Sequence, residues 1–157
     1  MLDFNKATEN VGGWLTEAEG LSLYDIAKKI KTGNVIVEVG SWKGKSTICL
    51  GNGSKDGNKV KIFAIDPHIG SSEHQKMFGK VDTFEEFKQN INKAGISEFV
   101  EPVRDTSENA AKNFNQRIEF ALFFGYSPCN WEGGAMPKER VSMKIAHEVR
   151  EYALSQR

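Results

Sequence analysis

Asn34–Thr47, NVIVEVGSWKGKST, is the stretch that decides the fold. Val35, Ile36, Val37 and Val39 make a short β-branched run, as in a parallel strand covered on both faces. Gly40 and Gly44 follow, and Lys45, Ser46 and Thr47 stand where a helix would begin. A strand that passes through a glycine turn into a helix N-terminus presents backbone N–H groups to a ligand. Glu38 sits inside the apolar run, where burial is costly unless something uses the charge. The stretch is a candidate nucleotide or nucleoside site.

Outward from it, the chain alternates. Upstream, Thr16–Glu19 (TEAE) reads as a capping box, opening a helix to about Ile30 with Leu23, Tyr24, Ala27 and Ile30 on one face. Gly33 breaks it. Downstream, a helix opens at Ser46–Leu50 and is expected to be short, because Gly51-Asn52-Gly53 punctuates it. Val60–Asp66 (VKIFAID) is a second buried strand that ends on an acid, and Pro67–Lys80 is a polar loop. Thr83–Glu86 (TFEE) reads as another capping box, with Phe84, Phe87 and Ile91 at helical spacing before Gly95. Phe99–Val103 is a third strand. Its Pro102 cannot donate to a ladder, so this strand belongs at a sheet edge. Asp105–Glu108 (DTSE) starts a helix, Ile118–Phe124 is a fourth strand, and Pro137 opens a last helix with Val141, Ile145, Val149 and Tyr152 on one stripe.

Strands alternating with helices predict an α/β fold, a doubly wound, Rossmann-like parallel sheet. In the order 3-2-1-4 the third strand is an edge, as Pro102 requires. The ligand then lies outside the carboxyl ends of strands 1 and 4, where the order reverses and where Gly40 stands.

Composition narrows the partners. The 157 residues suffice for one core. Lys+Arg 21 balances Asp+Glu 21, so no net field draws the chain to nucleic acid or an anionic membrane. No apolar run approaches a membrane span, and MLDFNKATEN has no basic-then-apolar leader pattern. Cys49 and Cys129 make no disulfide framework, Cys49 reads as a small core residue, and a reducing cytoplasm is the expectation. No His/Cys/Asp grouping has zinc-site spacing, so no metal site is expected.

Three ligands compete for Glu38–Thr47. Gly44-Lys45-Ser46 is the second half of a P-loop, but Val39 stands where the first glycine should be, and the loop is one residue short. Dinucleotide binding needs G-x-G-x-x-G, and Trp42 occupies the second glycine's place, where the backbone must approach a pyrophosphate. S-adenosylmethionine carries no phosphates, so two glycines suffice. It needs an acid for its ribose at the end of strand 2, where Asp66 stands. It also needs a lining for adenine after strand 3, where Thr106 and Ser107 stand.

The segments GWLTEAEGLSLYDIAKK, VIVEVGSWKGKSTICL, FAIDPHIGS, VDTFEEFKQNINKAGI and DTSENAAKNF resemble the class I S-adenosylmethionine-dependent methyltransferases, in particular the branch similar to catechol O-methyltransferase-like enzymes. The resemblance runs from about Gly12 to Leu122. It implies cofactor contact by Glu38, Gly40, Ser41 and Gly44, ribose contact by Asp66, and adenine contact near Ser107 and His68. It implies S-adenosylmethionine as cofactor and O-methylation of a small-molecule acceptor. The family ends strand 4 with an apolar pair and D-G-x-H, whose acid assists the acceptor. Here Phe124 stands at that acid and Ser127 at the histidine. The expected layout is a methyltransferase-like domain over 1–125, lacking the usual C-terminal strands, and an atypical tail over 126–157. Two further readings stay open: a cofactor-binding module without catalysis, and a P-loop-like nucleotide hydrolase. Strand 4 is expected to leave an open edge unless the Asn130–Pro137 segment, the last helix or a second copy of the chain, as in a homodimer, covers it.

Plainer roles compete for single residues. Asp66 before Pro67 suits a turn, His68 and His74 suit a solvated loop, His147 a helix surface, and Trp14 and Trp42 an ordinary core.

Overall fold

A computed structural model describes residues 1–70, 75, 79–112 and 114–124. His74, Ser127, Cys129, His147, the helix expected from Pro137 and the tail 126–157 lie outside the described residues.

The elements run α1 (Phe4–Ala7), α2 (Glu17–Lys29), β1 (Val35–Val39), α3 (Lys45–Asp56), β2 (Ile62–Ile65), α4 (Phe84–Lys93), β3 (Val100–Val103), α5 (Ser107–Lys112) and β4 (Ile118–Phe123). The strands form one parallel sheet in the order β3-β2-β1-β4, as expected. β1 is central, with Ile36 opposite Ile62 on one side and Phe120 on the other. Glu38 is flanked by Ala64 and Leu122. The core is built on Ile36, Ile62 and Ala64 of the sheet, Ile48 and Leu50 of α3, and Phe87 and Ile91 of α4. Cys49 is fully buried within it.

Pro102 sits where its missing N–H does no harm. Ile62 N–H donates to Phe99 C=O, and Asp66 N–H donates to Val103 C=O. Alternation along the strand then turns the polar groups of residue 102 away from β2, toward the open edge.

Two expectations about helices need correction. The helix after Gly44 does not stop at Gly51: α3 continues to Asp56. A Cβ on Gly51 would lie 2.4 Å from Ile96 Cδ1, and one on Gly53 would lie 2.3 Å from the Tyr24 carbonyl oxygen. These glycines are where α3 meets its neighbours most closely, and tertiary packing overrides their weak helix propensity. The TEAE box forms as read, with Thr16 and Glu19 capping each other. The TFEE box does not, because the Thr83 side chain caps nothing in α4. The Phe84 N–H donates instead to Asp82 Oδ1 at 3.1 Å. The four-residue α1 escaped the sequence reading; Asp3 caps it by accepting from Lys6 N–H.

Candidate functional site

The carboxyl ends of β1 and β2 hold most of the expected residues. Glu38 is the last inward-facing polar group of β1 and is fully buried. Its Oε1 accepts the Ser46 hydroxyl hydrogen and its Oε2 that of Thr47, both from the first turn of α3. Burial pushes the Glu38 pKa up to about 7, against the pull of those two hydroxyls, and nearby Asp66 adds to the rise. The acid thus ties β1 to α3 beneath the glycine turn.

Gly40 and Gly44 both take positive φ, 88° and 91°. Only glycine does so without strain. Gly40 has a second reason, since a Cβ there would lie 1.7 Å from the Phe124 carbonyl oxygen. The chain leaving β4 crosses directly over this glycine, with Phe124 N–H donating to Val39 C=O at 2.7 Å. Between the glycines, Ser41 is 2% exposed and its Oγ has no hydrogen-bond partner.

Asp66 is nearly buried, and each carboxylate oxygen accepts a backbone N–H. Trp42 donates to Oδ2 at 2.8 Å and His68 donates to Oδ1 at 2.6 Å. The second bond is the turn role expected for an acid before Pro67. Both donors take left-handed φ, 48° at Trp42 and 59° at His68. Such φ values are uncommon outside glycine and cost about 1 kcal/mol each. One carboxylate therefore holds two strained backbones, one from the loop after β1 and one from the loop after β2.

His68 is not solvated, contrary to the loop reading: it is fully buried. Its ring packs 5.1 Å from Phe84 and 5.2 Å from Phe87, centroid to centroid. Nδ1 lies 3.0 Å from Thr83 Oγ1, and the His68 carbonyl accepts Thr83 N–H at 3.1 Å. Burial holds the imidazole pKa below its ordinary value, opposed by the Asp66 charge and the Trp42 carbonyl, with Arg104 adding to the fall.

Ser107 begins α5 directly after β3 and is exposed. Asp105 Oδ1 braces this turn, accepting Thr106 N–H and Asn109 Nδ2. Ser107 thus shares the carboxyl edge with Gly40 and Asp66, at the β3 end of the sheet. Trp14 is not core: it is 86% exposed. Its neighbour Gly13 is tied to the β1–α3 turn, with Lys45 Nζ donating to the Gly13 carbonyl at 3.4 Å. Trp42 is half-buried. Thr83 is the residue that sequence reasoning missed, because T-F-E-E read as a cap. Asn90 is another, its Nδ2 holding the Lys43 carbonyl at 2.9 Å. A cavity of about 570 Å³ lies elsewhere, among α1, α3 and α4, lined by residues such as Tyr24, Asn52 and Asp56. None of the expected cofactor residues lines it.

A strand, a glycine turn, a helix N-terminus and an acid at the next strand's end make a nucleoside-type site, not a triphosphate site. The two P-loop side chains are otherwise committed, Ser46 to Glu38 and Lys45 to Gly13. Residues 37–125 match the family model for a methyltransferase domain. The chain belongs to this methyltransferase family. It is a class I S-adenosylmethionine-dependent methyltransferase by family and fold, and S-adenosylmethionine is the cofactor. The match to a methyltransferase removes the nucleotide-hydrolase alternative.

Two solved structures share the fold, and a third is similar over most of the chain. A protein of Corynebacterium glutamicum is 20% identical, with a TM-score of 0.51 over 78% of this chain and 53% of its own. A proposed rRNA methylase of Clostridium thermocellum is 16% identical, with a TM-score of 0.50 over 87% and 66%. A proposed methyltransferase of Streptococcus mutans, solved with S-adenosylhomocysteine, is 14% identical, with a TM-score of 0.49 over 87% and 66%. The chain spans 53% to 66% of the length of these solved chains. No helix among the described residues is long and apolar enough to cross a membrane, and no group of His, Cys, Asp and Glu there is placed to hold a metal ion.

Proposed function

We propose that this methyltransferase domain binds S-adenosylmethionine at the carboxyl edge of β1 and β2 and transfers its methyl group to an oxygen of a small-molecule acceptor. The observation that carries the reading is the pairing of a buried, unpartnered Ser41 hydroxyl in the glycine turn with the Asp66 carboxylate at the next strand's end. A buried hydroxyl without a partner is a rare and costly feature that a ligand atom would satisfy. The cofactor supplies an electrophilic methyl group on a sulfonium centre. Ser41 and the turn at Gly40 and Gly44 meet its methionine part. Asp66 accepts from the ribose hydroxyls with the lone pairs that Trp42 and His68 leave, and Ser107 lines the adenine. Glu38 holds the turn in place from below. The protein's contribution to transfer is position.

The test is isothermal titration with S-adenosylhomocysteine, followed by product analysis with candidate acceptors. Asp66→Ala should weaken binding by about 1.5–3 kcal/mol for each charge-assisted hydrogen bond lost. Unchanged affinity would remove the ribose contact.

A second reading is a cofactor-binding module without catalysis, favoured by Phe124. This residue stands at the end of β4, is 41% exposed, and can neither accept a proton nor ligate a metal. Binding without turnover would select it. The outer edge of β4 is where a second copy of the chain would pair, and sedimentation velocity tests that association.

A further inference from the structure

The fully buried His68 takes a left-handed backbone that only outside restraint would keep. Its N–H reaches Asp66 Oδ1 at 2.6 Å. Its carbonyl and its Nδ1 are both held by Thr83, at 3.1 Å and 3.0 Å. Its ring is wedged against Phe84 and Phe87 of α4. Thr83 precedes α4, where a threonine hydroxyl normally caps the helix for about 1 kcal/mol, yet it caps nothing and faces the imidazole instead. Asp82 takes over the contact to the Phe84 N–H. A residue that forgoes its ordinary local bond for a distant ring marks a connection that the fold maintains.

We propose that His68 is a positioning residue: locked to α4 through Thr83, it aims the Asp66 carboxylate at the cofactor ribose without touching the cofactor itself. This rests on Asp66 being the ribose contact. The imidazole has no solvent-exposed atom with which to reach adenine directly, so its influence passes through the His68 backbone. Burial favours the neutral form of the ring, which still hydrogen-bonds Thr83 through Nδ1. With only the other half of the lock, the Trp42 N–H on Oδ2, the carboxylate would be free to rotate about that bond.

His68→Ala would leave a hole between Phe84 and Phe87 and risks unfolding, so Thr83→Val is the informative variant. It keeps the shape and the backbone bond and removes only the hydroxyl. Titration with S-adenosylhomocysteine, with folding checked by circular dichroism, should give an affinity about tenfold weaker, the worth of one buried hydrogen bond. Thr83→Ser should restore it. In an Asp66→Ala background, Thr83→Val should change the affinity no further, because its only route is Asp66. A merely structural threonine would cost the same factor in both backgrounds, and that result overturns the proposal, as does native affinity in Thr83→Val. If Asp66→Ala alone binds like the native chain, the ribose contact falls, and the role of His68 with it.

Discussion

Glu38 offers a sharp test of how the site is built. Its pKa is about 7 in the folded chain against 4.5 for an ordinary glutamate, chiefly because it is fully buried. Unfolding releases it to water, so between these values the folded state holds more protons than the unfolded one. Stability from this group is full below about pH 4.5 and falls as pH rises through about 7. At about 1.4 kcal/mol per pH unit the loss comes to about 3 kcal/mol. For a chain of this length that is about 6–12 °C in Tm. Glu38→Gln removes the charge and keeps the shape, with Ser46 and Thr47 still able to hydrogen-bond the amide. Urea unfolding of both proteins from pH 5 to 8.5 should show native stability falling relative to the variant. Above pH 8 the variant should be the more stable by about 2 kcal/mol, after about 1 kcal/mol is taken off for a poorer hydrogen bond. Parallel curves for the two proteins would refute the reasoning.

Gly40→Ala should destabilise by about 2 kcal/mol or more, from left-handed strain together with displacement of the Phe124 carbonyl and its neighbouring bond to Val39; urea unfolding reads it. Gly53→Ala would stabilise an isolated helix by about 1 kcal/mol. Here its methyl would lie 2.3 Å from the Tyr24 carbonyl, so the expected sign is reversed, with a loss of about 1–3 kcal/mol in thermal unfolding. Lys43→Ala breaks a half-exposed ion pair with Glu86 and should change stability by less than about 1 kcal/mol, checked by the same unfolding series.

The centre of the sheet was legible in the sequence because β1 is a short β-branched run, and the apolar run of β2 beside it is buried as well. Pro102 then reduced the orders to one that the structure carries. Glu38 was legible as an anomaly, a charge in an apolar run, though its partners were not, since Ser46 and Thr47 meet it only once α3 is placed. What the sequence hid was where a distant contact outweighs a local rule. Gly51 and Gly53 look like punctuation until α2 and Ile96 lie against them. Thr83 looks like a cap until His68 arrives. His68 looks solvated because its neighbours in sequence are polar, while Phe84 and Phe87, which bury it, come from the next helix. Trp14 looks like core by its type alone and is exposed.

Pro102 has a consequence for how this chain meets other chains. Its backbone faces the free side of β3 with no donor to offer, and the exposed Glu101 beside it adds charge. A strand arriving at that edge would find a gap in the middle of a four-residue ladder. An approaching strand would therefore meet no ladder donor at Pro102, which disfavours growth of the sheet on the β3 side.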